Sequence, residues 1–114
     1  MIITKSEPFS KKEIEKLRER FDVYIKTVID IEEKICSAGC DRHYESEKIL
    51  LDHGSQQDHL WGGGIDLAMK VIDGNAMINI RPAQGNMSNE IQDPRLRKIF
   101  DELTKIFFKN LYEQ

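Results

Sequence analysis

The side chains able to do chemistry are concentrated in the middle of this chain, between Cys36 and Asp93. The densest run of metal-competent groups is Cys36, Cys40, Asp41, His43, Glu45, Glu47, His53, Asp58 and His59. Zinc favours four nitrogen or sulfur ligands in a tetrahedron, commonly as two pairs whose members lie roughly two to four residues apart. Cys36-x3-Cys40-x2-His43 has a loosely similar spacing, but no second cysteine pair follows it. His43 and Glu47 are four apart, so an early helix start puts them on one face, where a further carboxylate would complete a manganese or iron site. A solvated i, i+4 pair has the same spacing and is the simpler reading, so no metal ligand is assigned.

Nucleophilic catalysis needs a Ser or Cys beside a base that a third group orients. Cys40 and His43 offer thiol and imidazole in an irregular segment where nothing makes them face each other, and no Ser sits in a nucleophile-elbow sequence. Gly62-Gly63-Gly64 lets a backbone approach a phosphate, yet it lacks the Lys and Ser or Thr of a P-loop; a strand start with a bulge is the favoured reading. The most pointed signal is Ile78-Asn79-Ile80-Arg81-Pro82-Ala83-Gln84-Gly85-Asn86. There a guanidinium at a strand end, with Asn79 on the same face and Asn86 across a turn, can hold a carboxylate or phosphate bidentately while the amides orient it. The competing reading pairs Arg81 with a cross-strand carboxylate such as Asp30 or Asp66 and puts Asn86 at a left-handed turn position. Trp61 is read as core, with a stacking platform as the alternative. The expected ligand-binding set is His43, Glu47, Trp61, Asn79, Arg81, Gln84 and Asn86.

These residues need elements to position them. Ser10-Lys11-Lys12-Glu13 is a capping box, and Phe9 with Ile14 forms a hydrophobic staple, which predicts a helix over 10–21. Val23, Ile25, Thr27, Ile29 and Ile31 alternate with Tyr24, Lys26, Val28 and Asp30, the pattern of a half-buried strand, and residues 34–38 return as its hairpin partner. A short helix over 44–53 buries Ile49 and Leu50 and ends at Gly54. Two extended runs follow. Their turn falls either at Asp73-Gly74 or at Ala68-Met69-Lys70, and the last strand puts Ala76, Ile78 and Ile80 on one face and Met77, Asn79 and Arg81 on the other. Pro82 stops that strand. Asp93 caps a helix opening with Pro94, whose stripe runs from Leu96 through Ile99, Phe100, Leu103, Ile106 and Phe107 to Leu111. Phe108 and Tyr112 fall off this stripe, so they either widen the buried face or mark a dimer interface. Without a repeating βαβ rhythm the class is α+β: a small, mostly antiparallel sheet with helices on one face and a long C-terminal helix.

A chain of 114 residues fits a single domain, 1–114, able to bury a core without metal or disulfide. Seventeen Lys and Arg against twenty Asp and Glu give a net charge of −3, which carries no bias toward nucleic acid or anionic membranes. Basic residues interleaved with aromatics are sparse, so nucleic acid is not the expected partner. No stretch has the roughly 18 apolar residues of a membrane span, and no export signal precedes the two cysteines, so a cytoplasmic protein with free thiols is expected.

Taken together, His43, Trp61-Gly62, the run INIRPAQGN, Ser88, Ile91 and Asp93-Pro94 resemble a small prokaryotic family known only as a domain of unknown function. The similarity runs from the strand pattern at Val23 to the last helix. It implies an intracellular single-domain protein and directs attention to His43, Trp61, Arg81 and Asn86. No activity comes with it, and members need not keep cysteines at positions such as Cys36 and Cys40, which weighs against thiol or zinc chemistry.

Three readings follow. The leading one is a binding module whose polar recess takes an anionic small molecule or another protein. The second is a metal-assisted hydrolase acting on a phosphodiester, with His43 and Glu47 as ligands and Arg81 stabilising developing charge. The third is a homodimer through the last helix, with the polar centre serving only its own hydrogen-bond network.

Overall fold

The computed structural model describes residues 1–112. An antiparallel five-stranded sheet runs in the order β1-β3-β2-β4-β5. Its strands are β1 (Ile3–Lys5), β2 (Tyr24–Asp30), β3 (Ile35–Ala38), β4 (Leu60–Asp66) and β5 (Ile72–Asp73), with helices α1 (Lys11–Arg20), α2 (His43–Asp52), α3 (Pro94–Phe107) and α4 (Lys109–Tyr112). This is an α+β fold with an antiparallel sheet and a C-terminal helix, as the patterning implies.

The local signals act as their chemistry dictates. Ser10 Oγ accepts from the Glu13 amide at 3.1 Å while the Glu13 carboxylate accepts from the Ser10 amide at 2.8 Å. Asp93 caps α3 through the Arg95 amide at 2.8 Å, with Pro94 at its first position. The turn between β2 and β3 is held by Asp30, whose Oδ1 accepts from the amides of Glu32 and Glu33 and whose Oδ2 accepts from Ser55 Oγ. Asp30 is therefore engaged in turn-building and not in an ion pair with Arg81.

Alternation along β2 and β4 sorts residues to two faces. One face carries Ile25, Ile29, Trp61 and Ile65 against Ile14 and Leu17 of α1, Phe100, Leu103 and Phe107 of α3, and Leu111 of α4. Phe108 is fully buried, 5.1 Å from the ring of Phe9, so it widens this core. The opposite face carries Val28 and Leu60 against Leu50 of α2 and Ile78. Helices therefore cover both faces of the sheet, because Val28 and Leu60, which period-two alternation turns away from the main core, still need apolar cover.

The turn after β4 takes the second of its two expected positions, and the strand expected beyond it takes a different form. The turn after β4 lies at residues 67–70, with Asp66 Oδ1 accepting from the amides of Ala68 and Met69, and Lys70 in the left-handed region (φ 57°). The expected strand through Ala76 and Arg81 does not form: only Ile72–Asp73 pairs with β4, and Met77–Asn79 is a 3₁₀ turn. The cause is Asn79. Its carboxamide turns inward and takes the place of a neighbouring strand on β4, accepting from Gly62 N at 2.8 Å and donating to Gly62 O at 2.9 Å.

Gly62, Gly63 and Gly64 lie inside β4, paired without interruption to Val28, Thr27 and Lys26, so no bulge is present. Close approach explains them. A Cβ on Gly62 would stand 2.6 Å from Ala76 Cβ, one on Gly63 would strike the carbonyl of Asp73 and the Phe100 ring, and one on Gly64 would strike the Tyr24 hydroxyl.

Candidate functional site

The seven residues singled out in the sequence occupy three settings. Asn79 and Asn86 form a buried backbone-binding network. Besides Gly62, the Asn79 carboxamide donates to the carbonyls of Gly74 and Asn89, and Asn86 Nδ2 donates to those of Asn79, Ser88 and Glu90 while its Oδ1 accepts from the Gln92 amide. Both side chains are buried, and their amides are satisfied by the protein itself.

Arg81, Trp61, Gln84 and Glu47 form the second setting, beside the start of β4. The two terminal nitrogens of Arg81 donate to the carbonyls of Gln57 and Leu60, and its guanidinium carbon lies 4.0 Å from the Trp61 ring centroid, a cation–π arrangement. Gln84 Nε2 donates to Asp58 O at 3.1 Å. Burial pulls the Arg81 pKa below its ordinary value, and the carboxylates of Glu47 and Asp58 act against that. Arg81 Nε, Glu47 Oε2 and Trp61 Nε1 are buried without a hydrogen-bond partner among the described residues.

His43 stands in the third setting, where α2 begins over the glycine-bearing face of the sheet. Here a cleft of about 640 Å³ is lined by Lys26, Asp41, Arg42, His43, Tyr44, Met77 and Ile78. Its volume lies in the range of about 300–1,000 Å³ usual for small-molecule sites. Lys26 alternates to this face of β2 opposite Gly64, so its stem rises beside a strand that carries no side chain there. Its ammonium donates to Asp41 O at 2.8 Å, and the Asp41 carboxylate is paired with Arg20 at 2.9 Å. Neither Lys26 nor Arg42 forms an ion pair among the described residues, so two cations flank the cleft in a chain whose net charge is −3.

The imidazole of His43 is fixed by its surroundings. Nε2 lies 2.7 Å from Gly63 O, and a hypothetical Cβ on Gly62 would sit 3.2 Å from His43 Cδ2. Burial is the main reason that the His43 pKa lies below its ordinary value of 6.5, helped by Lys26; the Gly63 carbonyl and Asp73 pull the other way. Next to it, the Tyr24 hydroxyl crosses Gly64 and donates to Asp73 Oδ2 at 2.7 Å, which together with burial raises the tyrosine pKa well above its ordinary value.

Among the described residues, no three His, Cys, Asp or Glu side chains converge to hold a metal ion. Cys36 and Cys40 are both buried and unpaired, and burial raises each thiol pKa. Of the cleft residues, sequence patterning had singled out His43 for ligand binding. Lys26, Arg42, Tyr44 and Met77 escaped because a lysine in an alternating strand and a methionine in an expected strand look ordinary; that Lys26 stands opposite a glycine emerges only from the register of the folded sheet.

The family described as protein of unknown function (DUF5674) matches residues 1–107. The chain belongs to this family. No curated protein and no solved structure matches the chain. The DUF5674 match spans all three settings, the Asn79 and Asn86 network, the Arg81 and Trp61 stack and the His43 cleft alike.

Proposed function

We propose that the protein is a binding module whose His43 cleft captures a small anionic molecule with an apolar body. One observation carries this reading: Lys26 and Arg42, both lacking an ion-pair partner among the described residues, stand with His43 on a concavity that Met77 and Ile78 also line. An anion placed there gains charge-assisted hydrogen bonds, and its carbon body covers apolar surface otherwise open to water; Met77 is 80% exposed and Tyr44 60%. A concave site of this size suits a small molecule better than the broad patch a protein partner needs. In this reading Asn79 and Asn86 brace the segment that carries Met77 and Ile78, while Arg81, Gln84, Glu47 and Trp61 lie beside the start of β4, outside the cleft. A cytoplasmic location belongs to the same proposal, supported by two thiols that remain free and buried.

The test is a titration with phenylacetate, a simple anion with an apolar ring, followed by amide NMR. Shifts should be confined to residues around Lys26, 41–44 and 77–78, and Lys26→Ala should weaken binding about tenfold. Shifts centred on Arg81 instead, or none anywhere at millimolar probe, would sink this reading.

A second reading is favoured by Ile99 and Ile106, which lie seven residues apart on α3 and are 40% and 52% exposed. They support a homodimer through the C-terminal helix, tested by mass measurement over a hundredfold concentration range; Ile99→Lys should abolish any concentration dependence.

A further inference from the structure

We propose that the His43 cleft selects 2-hydroxycarboxylates with an apolar side chain over the corresponding deoxy acids, because His43 presents a bare Nδ1 acceptor beside the anion position. The inference deepens the binding reading above and rests on it.

The tautomer follows from the partner. Nε2 lies 2.7 Å from Gly63 O, and a carbonyl oxygen has only lone pairs to offer, so the proton sits on Nε2. A neutral imidazole has one N–H, which leaves Nδ1 as an acceptor. Nδ1 lies on the ring edge away from the Cδ2 that abuts Gly62, and no residue among those described donates to it. Flipping the ring by 180° would bring a C–H to Gly63 O and remove that hydrogen bond, so the orientation is held. Burial among Ile78 and the glycine strand keeps the ring neutral, with Lys26 of β2 acting in the same sense and Asp73 of β5 opposing it.

The remaining groups set what the acceptor meets. Lys26 and Arg42 draw a carboxylate into the cleft, while a carboxylate oxygen facing Nδ1 would set lone pair against lone pair. The group beside the carboxylate must therefore carry a proton. An ammonium would meet the repulsion of Lys26 and Arg42, whereas a hydroxyl donates without adding positive charge. Met77 and Ile78 then take the apolar substituent.

Mandelate and phenylacetate differ only in that hydroxyl and serve as the probes. At pH 8, mandelate should bind the intact chain about tenfold more tightly, the increment of one buried hydrogen bond. His43→Phe should bring the ratio of mandelate to phenylacetate affinity from about ten to about one, and that ratio, read within the same variant, is the measured quantity. Should that variant fold poorly, the unaltered protein gives the same answer: once the pH falls below the depressed His43 pKa, Nδ1 gains a proton, becomes a donor, and the preference for mandelate should shrink. Equal affinities at pH 8, or a preference independent of pH and of His43, would overturn the inference and leave anion capture intact. Failure of both probes to bind would remove anion capture itself.

Discussion

The edge of β4 and the His43 cleft are both rich in polar groups, and they differ in what those groups have left to offer. At the edge, Asn79 bonds to Gly62, Gly74 and Asn89, Asn86 to four further backbone groups, and Arg81 to two carbonyls and the face of Trp61. In the cleft, Lys26 uses one donor on Asp41 O, Arg42 has no ion-pair partner among the described residues, and His43 keeps one ring nitrogen free. A dense polar run in a sequence can thus be scaffold. At the edge Arg81 Nε, Glu47 Oε2 and Trp61 Nε1 also keep bonding capacity unmet among the described residues, but they are buried, whereas the groups of the cleft line an open concavity.

That contrast can be broken most forcefully at Asn79. Asn79→Ala strips four hydrogen bonds from a fully buried position and should cost about 3 kcal/mol or more of unfolding free energy by urea denaturation. A loss under 1 kcal/mol would show that the edge is not held this way. Gly63→Ala comes next, since its methyl meets the backbone carbonyl of Asp73 and the Phe100 ring; about 2–3 kcal/mol should be lost. Arg81→Ala should lower stability by about 1.5–3 kcal/mol through its two charge-assisted bonds to backbone carbonyls, yet leave phenylacetate affinity unchanged at temperatures where the variant is folded. Loss of binding with full stability would reverse the roles of the two regions. Lys26→Ala should do the opposite, changing stability by less than about 0.5 kcal/mol while weakening anion capture.

The mildest test is pH. Because burial holds the folded His43 pKa below 6.5, the unfolded chain takes up the proton first as pH falls. The stability from this group is complete above pH 6.5 and declines as pH drops toward the folded value. The thermal midpoint should fall between pH 7 and pH 5, and His43→Phe should flatten that part of the profile.

Helices α1, α2 and α3 and the β2–β3 hairpin were legible because their signals are local: a capping box at Ser10, Gly54 after α2, Asp93-Pro94 before α3, strict alternation from Val23 to Ile31. The segment after Asp73 was not legible. Ala76, Ile78 and Ile80 alternate as a strand would, but Asn79 gains more by turning inward to Gly62 than by pairing its backbone, and no local pattern reports a partner 17 residues away. The short β1 was missed because three residues carry too little pattern. His43 was found by residue type; Lys26 and Arg42 acquire their role only when α2 is laid over the glycine strand.

Side chains standing in for a strand beside Leu60, Trp61 and Gly62 have a further effect on how molecules of this protein meet one another. An open stretch of β ladder is a template on which a second chain can polymerise, and Asn79 and Arg81 cover that stretch with groups that no incoming strand can extend. Variants at these two positions should therefore be watched for fibre formation as well as for loss of fold.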